Sequence, residues 1–276
     1  MAGKTFRFSV LGSGFWVPVL GFWVLCIAGT AHAQQGMPNQ CASLPNHGTL
    51  KAALDKATAE EKSGLNNHMW ATIVDHDGVV CAVAFSGSDR GAQWGVSRVI
   101  SAQKANTASQ LALDATSNSA GSGQATGLAL STANLYSAVQ PGGSLFGLQF
   151  SNPVDTTIAY AGPYASYGTP KDPMANHRIG GINVFGGGLG LYGAAKRAVG
   201  GIGVSGDTSC ADHNIAWRIR SILNLDHLMG VGGVSGDKAR PDNIIFDIAN
   251  GASKGGFGHP QCLNTGDAAT LPAVKD

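Results

Sequence analysis

Gly181 to Asp212 reads GINVFGGGLGLYGAAKRAVGGIGVSGDTSCAD, and this stretch decides the fold. The extended run that starts at Val184 halts at Gly186-Gly187-Gly188 and resumes at Leu189, Leu191 and Tyr192. Gly193-Ala194-Ala195-Lys196 forms a short reversal, and Ala198 to Val204 is the returning strand. Gly206-Asp207-Thr208-Ser209 then turns the chain into a helix. An antiparallel hairpin followed by a helix is the result, with glycine at so many points that backbone or ligand must approach closely there.

Working outward, Asn46 to Gly64 has the apolar spacing of a helix through Leu50, Ala53, Leu54 and Ala57, with Thr49 as its cap. His68 to Asp75 and Val79 to Phe85 alternate as strands around the turn signal Asp75-His76-Asp77-Gly78. Gln93 to about Thr116 reads as a helix with Val96, Ile100, Lys104, Thr107 and Leu111 near one face, followed by a small polar loop over Ser117 to Gly127. A further helix is expected from Leu128 to Val139, a strand from Leu145 to Phe150, and the last long helix from Ala211 to Leu223. Ile244 to Ile248 is a late strand and the residues after Gly251 read as a tail. Val154 to Gly181 is too long for an ordinary connection and reads as a functional or interface loop. Antiparallel strand pairs with helices at their ends give an α+β class, one domain with an antiparallel sheet and helices on its faces.

Composition narrows the function. Of 276 residues, 13% are charged and the net charge is +1, with no basic stripe, so neither nucleic acid nor an anionic membrane surface is indicated. Residues 1–33 have the layout of a signal peptide: Lys4 and Arg7, the apolar Val10 to Ala28, and the cleavage signature Ala31-His32-Ala33. The expected mature chain, 34–276, is periplasmic or secreted and has no membrane span. Its four cysteines, Cys41, Cys81, Cys210 and Cys262, fit two disulfides in an oxidising compartment. Helix-to-strand topology favours Cys41–Cys81, leaving Cys210–Cys262, with Cys41–Cys262 as the main rival. The lack of any C-x-x-C spacing counts against a metal site.

Three catalytic or ligand patterns fail on their context. Gly201-x-Gly203-x-x-Gly206 has dinucleotide spacing but lies in an antiparallel hairpin, and Asp207 would repel a phosphate. Ser205, Asp212 and His213 lack a nucleophile elbow, and neighbouring helical residues point apart. The pentapeptide Gly-Val-Ser-Gly-Asp at Gly203 recurs at Gly233 with different flanks, so it is turn chemistry and not a duplication.

Four segments in order carry a family resemblance: Ile73-Val74-Asp75-x-Asp77-Gly78, Ala102-Gln103-Lys104-Ala105-x-Thr107-Ala108, Phe146-Gly147-Leu148-x-Phe150-Ser151-Asn152, and Gly186 to Gly206 with Asp212 beyond. Together, over Thr49 to Leu223, they resemble the GlcG/HbpS family, which includes the C-terminal domain of PduO-type proteins. The resemblance implies a profilin-like α-β-α sandwich, assembly into homo-oligomers, and haem or a related tetrapyrrole as ligand, in haem handling or redox sensing. The chain departs from the pattern by an insertion around 154–181 and an extension after 225. On this reading Lys104, Thr107, Gly187, Gly188, Ser205 and His213 line the pocket. Lys104 would pair with a propionate, and Thr107 or His213 would approach the iron, although no axial ligand transfers by motif. The alternatives are an enzyme acting on a small polar substrate in the same cleft, and a structural oligomer without turnover.

Overall fold

The computed structural model describes residues 40–115 and 127–276. The signal-peptide segment and nearly all of the Ser117 to Gly127 loop lie outside these residues. Four strands, β1 (Trp70–Asp75), β2 (Val80–Phe85), β3 (Gly188–Gly193) and β4 (Arg197–Ser205), form one antiparallel sheet in the order β2-β1-β4-β3. Helix α1 (His47–Glu60) and helix α6 (Ser209–Ile222) cover one face, and helix α2 (Ser97–Gln110) covers the other. This is the expected α+β class in three layers.

The period of two along β1 assigns its side chains to these layers. Ala71 and Ile73 join Leu50, Leu54, Val204, Ile215 and Trp217 in the core beneath α1 and α6. Trp70 and Val74 join Val83, Val99, Ala102 and Ala105 beneath α2, and Thr72 lies within hydrogen-bond distance of Ser101, 2.7 Å between hydroxyls. Strand β1 is therefore buried on both faces, as a central strand between two helical layers must be.

The glycines of the opening hairpin have a definite task. In the ladder Gly188 pairs with Gly203 and Gly190 with Gly201, so four glycines make a square on the α2 side of the sheet. A Cβ on Gly203 would overlap the Ser101 carbonyl, one on Gly201 the Ala105 carbonyl, and one on Gly188 Thr132 and the Lys104 carbonyl. Helix α2 answers with small side chains at Ser101, Ala105, Ala108 and Ser109, so its backbone lies directly on the sheet.

Several boundaries differ from the sequence expectation for local reasons. Asn46, not Thr49, caps α1, its side chain accepting the Thr49 amide at 3.1 Å. The helix expected from Leu128 starts only at Thr132, because Ser131 and Asn134 form a reciprocal cap there. It runs through a 3-10 turn into the single turn α3 (Leu135–Ala138). Leu145 to Phe150 is not a strand: Gly147 at φ 97 breaks the extension and starts the short helix α4 (Leu148–Ser151). A second short helix, α5 (Thr156–Ala159), follows. The late strand shrinks to β5 (Ile248–Ala249) paired with β6 (Ala252–Ser253). The residues after Gly251 are no tail, since Ala268, Leu271 and Val274 enter the core beside α6.

Two disulfides join Cys41 to Cys81 and Cys210 to Cys262, closing loops of 40 and 52 residues in sequence. The loop-closure model assigns each about 4 kcal/mol. The glycine square gives the sharpest stability test. Gly203→Ala should cost at least about 3 kcal/mol, because the clash is with backbone that cannot swing away. Gly95→Ala, where an added Cβ meets nothing within 4 Å, should stay within about 0.5 kcal/mol. Urea midpoints of the two variants against the parent check this.

Candidate functional site

The site expected between α2 and the hairpin is a packed block. Lys104 is fully buried. Its ammonium donates to Asp212 Oδ2 at 2.6 Å and to the Val204 carbonyl at 3.0 Å, and it sits 4.3 Å from the centre of the Phe185 ring. Asp212 Oδ1 accepts the Asp207 amide at 2.9 Å. Burial pushes the Lys104 pKa down and the Asp212 pKa up to about 6, both toward the neutral forms, and the contacts just named oppose this.

The other expected residues fall around this pair. Gly187 has no room for a side chain, since a Cβ there would meet Val204, Asp212 and the Lys104 ammonium. The Gly188 amide donates to Thr132 Oγ1 at 2.8 Å, and that hydroxyl donates to the Phe185 carbonyl at 2.7 Å. Thr107 donates to Gln103 and accepts the Asn183 amide at 2.9 Å. Ser205 is buried, opposite Trp70 in the ladder. Lys104, Gly187 and Gly188 thus come together, Thr107 pins the approaching segment one turn along, and Ser205 belongs to the sheet. Where a cleft mouth was expected, helix and strand meet backbone to backbone.

His213 stands apart from this group. Its ring is buried, with Nε2 3.1 Å from Asn243 Oδ1 and 3.2 Å from the Ile244 amide, while Nδ1 has no hydrogen-bond partner among the described residues. Burial drives its pKa down to about 4, which keeps it neutral. Asp207 is equally committed. Its carboxylate accepts the amides of Leu65, Asn67 and Thr208, so the Gly201 to Gly206 loop holds an internal anion where a phosphate would lie.

Two more buried ion pairs fix the added segments. Arg98 holds Asp172 of the 154–181 insertion through two hydrogen bonds of 2.8 and 2.5 Å, with the Tyr167 ring 3.6 Å from its guanidinium. Arg220 holds Asp242 of the extension through bonds of 2.6 and 2.9 Å. The sequence reading missed these acids, together with Thr132, Asn243 and His259. Nothing in their spacing gives them away, except that only two residues separate His259 from Cys262.

His259 leads to an open surface. Its Nε2 lies 2.7 Å from Ser209 Oγ, which accepts the Gly186 amide, and its Nδ1 lies 2.7 Å from the Pro260 carbonyl. The Tyr136 ring packs 5.1 Å from the imidazole. Tyr136 is half-buried and forms one wall of a cleft of ≈ 830 Å³, with Gln140, Ser144, Ser253, Phe257 and Pro260 among the other walls. A second cleft of ≈ 830 Å³ lies over Met229 to Pro241 and has no aromatic wall.

A family model described as "Haem degrading protein HbpS-like" matches residues 48–220, more than half of the chain. The chain belongs to this HbpS-like family. No curated protein matches it. Among solved structures it is similar to protein ORFY of Klebsiella pneumoniae, at 23% identity and a TM-score of 0.41 over 65% of this chain and 90% of that one. It is also similar to PduOC crystallised with haem, at 20% identity and a TM-score of 0.40 over 63% and 89%. A crystal structure of HbpS matches at 15% identity and a TM-score of 0.35 over 64% and 86%. The family match ends within α6, so Asp242, His259 and Cys262 belong to what this chain adds.

Two measurements test the buried groups. Lys104→Met leaves Asp212 buried without its cation and should cost about 3–5 kcal/mol, and the double variant with Asp212→Leu should be less destabilised than Lys104→Met. Urea denaturation of the set checks both. For His213 the unfolded state binds its proton near pH 6.5 and the folded state only near 4, so stability is complete above 6.5 and falls as pH drops through this window. The loss from this group is about 3 kcal/mol, and buried His259, also shifted down, acts in the same direction. His213→Gln should flatten the slope of stability against pH between 4 and 6.5, measured by urea midpoints at each pH.

Proposed function

We propose that this chain is an exported haem-binding protein, and the observation that carries the proposal is its membership of the HbpS-like family over residues 48–220. Export is supported by the signal-like N-terminal segment and by two disulfides, which persist in oxidising compartments. Among the described residues no helix is long and apolar enough to cross a membrane.

The residues present support one position for a flat tetrapyrrole. His213 and Lys104 are both fully buried, which disfavours them as walls of an open cleft. The Tyr136 cleft does fit: ≈ 830 Å³ is within the roughly 300–1,000 Å³ of small-molecule sites. Tyr136 and Phe257 offer aromatic walls, and Gly143, Gly251 and Gly256 let a planar ligand approach the backbone. A tyrosine oxygen is one of the side-chain ligands that haem iron accepts, and exposed Lys254, next to Ser253, is placed for a carboxylate. When bound, haem supplies the redox-active iron. Tyr136 and Phe257 would hold the macrocycle, with the Tyr136 oxygen as the candidate iron ligand.

The family's description as haem-degrading favours a second reading, in which bound haem is consumed. The two separate in one experiment. Hemin titrated into the purified chain should give a saturable Soret shift near one equivalent, and Ser144→Trp, which fills the cleft, should weaken it at least tenfold. Lys238→Trp in the second cleft should not. Loss of the Soret band on adding a reductant in air would mark degradation. A chain with no saturable shift is not a haem binder.

A further inference from the structure

His259 does more than face Tyr136. Its neighbourhood also contains both sulfurs of the Cys210–Cys262 disulfide. One ligand atom from each of Cys210, His259 and Cys262 lies within 4.8 Å of the others. We infer that reduction of this disulfide creates a metal site of two thiolates and one imidazole, suited to a borderline or soft ion such as Zn²⁺. This inference is independent of haem.

The local structure supplies the donors, and ligation would exchange one of the two ring contacts of His259, to Ser209 Oγ or to the Pro260 carbonyl, for a metal bond. His259-Pro260-Gln261-Cys262 is an H-x-x-C pair on one short loop, and the third ligand, Cys210, comes from the first turn of α6. Thr265 holds the loop in shape, accepting the Cys262 amide at 2.9 Å and donating to its carbonyl at 2.8 Å. The Cys210 amide already donates to Cys262 Sγ at 3.2 Å, so the start of the helix aims an N–H at the sulfur that would carry charge. Cys262 is half-exposed and can be reached by a reductant, while Cys210 and His259 are buried behind it. Tetrahedral zinc with bonds of about 2.3 Å sets its two sulfurs about 3.8 Å apart. With the two Cα atoms 6.0 Å apart, that separation is reached by turning side chains alone. Two cysteines, one histidine and a water form an established zinc donor set.

The chemistry balances. A dithiol reductant gives two electrons and two protons to the S–S bond, leaving as its own cyclic disulfide, and Cys210 and Cys262 become thiols. The metal ion then displaces both thiol protons as the Sγ–metal bonds form. In the oxidised chain the sulfurs are bonded to each other and the site does not exist.

The test uses the expected mature chain, residues 34–276, carrying Cys41→Ser and Cys81→Ser, so that Cys210 and Cys262 are its remaining cysteines. After reduction with a water-soluble phosphine, Co²⁺ should produce sulfur-to-metal charge transfer and tetrahedral d–d bands at one equivalent. Zn²⁺ should displace them and raise the melting temperature of the reduced chain. The oxidised chain should show neither. Cys262→Ser should abolish the bands and His259→Gln should weaken Co²⁺ at least tenfold. Should the double-serine chain not fold, the natural chain serves instead, with Co²⁺ stoichiometry falling by one on Cys262→Ser. Absence of bands in a reduced chain overturns the inference, whether or not its far-ultraviolet circular dichroism stays native, and so do bands indifferent to Cys262→Ser.

Discussion

The direct contact of α2 with the glycine square of β3 and β4 is the constraint on which the rest of the structure depends. Because Gly188, Gly190, Gly201 and Gly203 carry no side chain, the α2 backbone lies within reach of the strand backbone. That closeness brings Lys104 of α2 within 2.6 Å of Asp212 on α6. The pair links the two helical layers through the sheet. It also gives Lys104, expected at a pocket mouth, a buried partner in Asp212.

The buried cations among the described residues follow one rule. Each cation sits on a long helix, Arg98 and Lys104 on α2 and Arg220 on α6, and each finds an aspartate supplied by later sequence. Burying such groups costs more than their attraction returns unless every hydrogen bond is made, so the pairs act as registry pins. Asp172 fixes the insertion against α2, and Asp242 fixes the extension against α6. The regions outside the family pattern are therefore integral to the folded chain.

Periodicity made the sheet and its three long helices legible, because burial on one face imposes a repeat that a reader can see. The turn Asp75 to Gly78 and the reversal at Gly193 to Lys196 were equally plain. What escaped was set by pairs distant in sequence. The glycines pointed correctly to a close approach, but the partner is α2, some 100 residues away, whose small residues look unremarkable alone. Lys104 looked like a cation at a pocket mouth because its partner Asp212 lies in another segment. The last 25 residues have no period and read as a tail, yet isolated Leu271 and Val274 are enough to anchor them. Leu145 to Phe150 shows the converse, an apolar run broken by the backbone at Gly147.

The junction of α6 with the extension has a consequence for the order of folding. Helix α6 is held by Cys262, Asp242 and Asn243, all made after it, and the Pro272 carbonyl accepts from Trp217 at 2.9 Å. Until those residues arrive, the helix has an uncapped cation, an open indole and a free thiol at its start. The layer it belongs to therefore closes only once the chain as far as Pro272 is in place. The last long helix thus completes its contacts with residues that follow it in the chain, at separations from 22 to 55 positions.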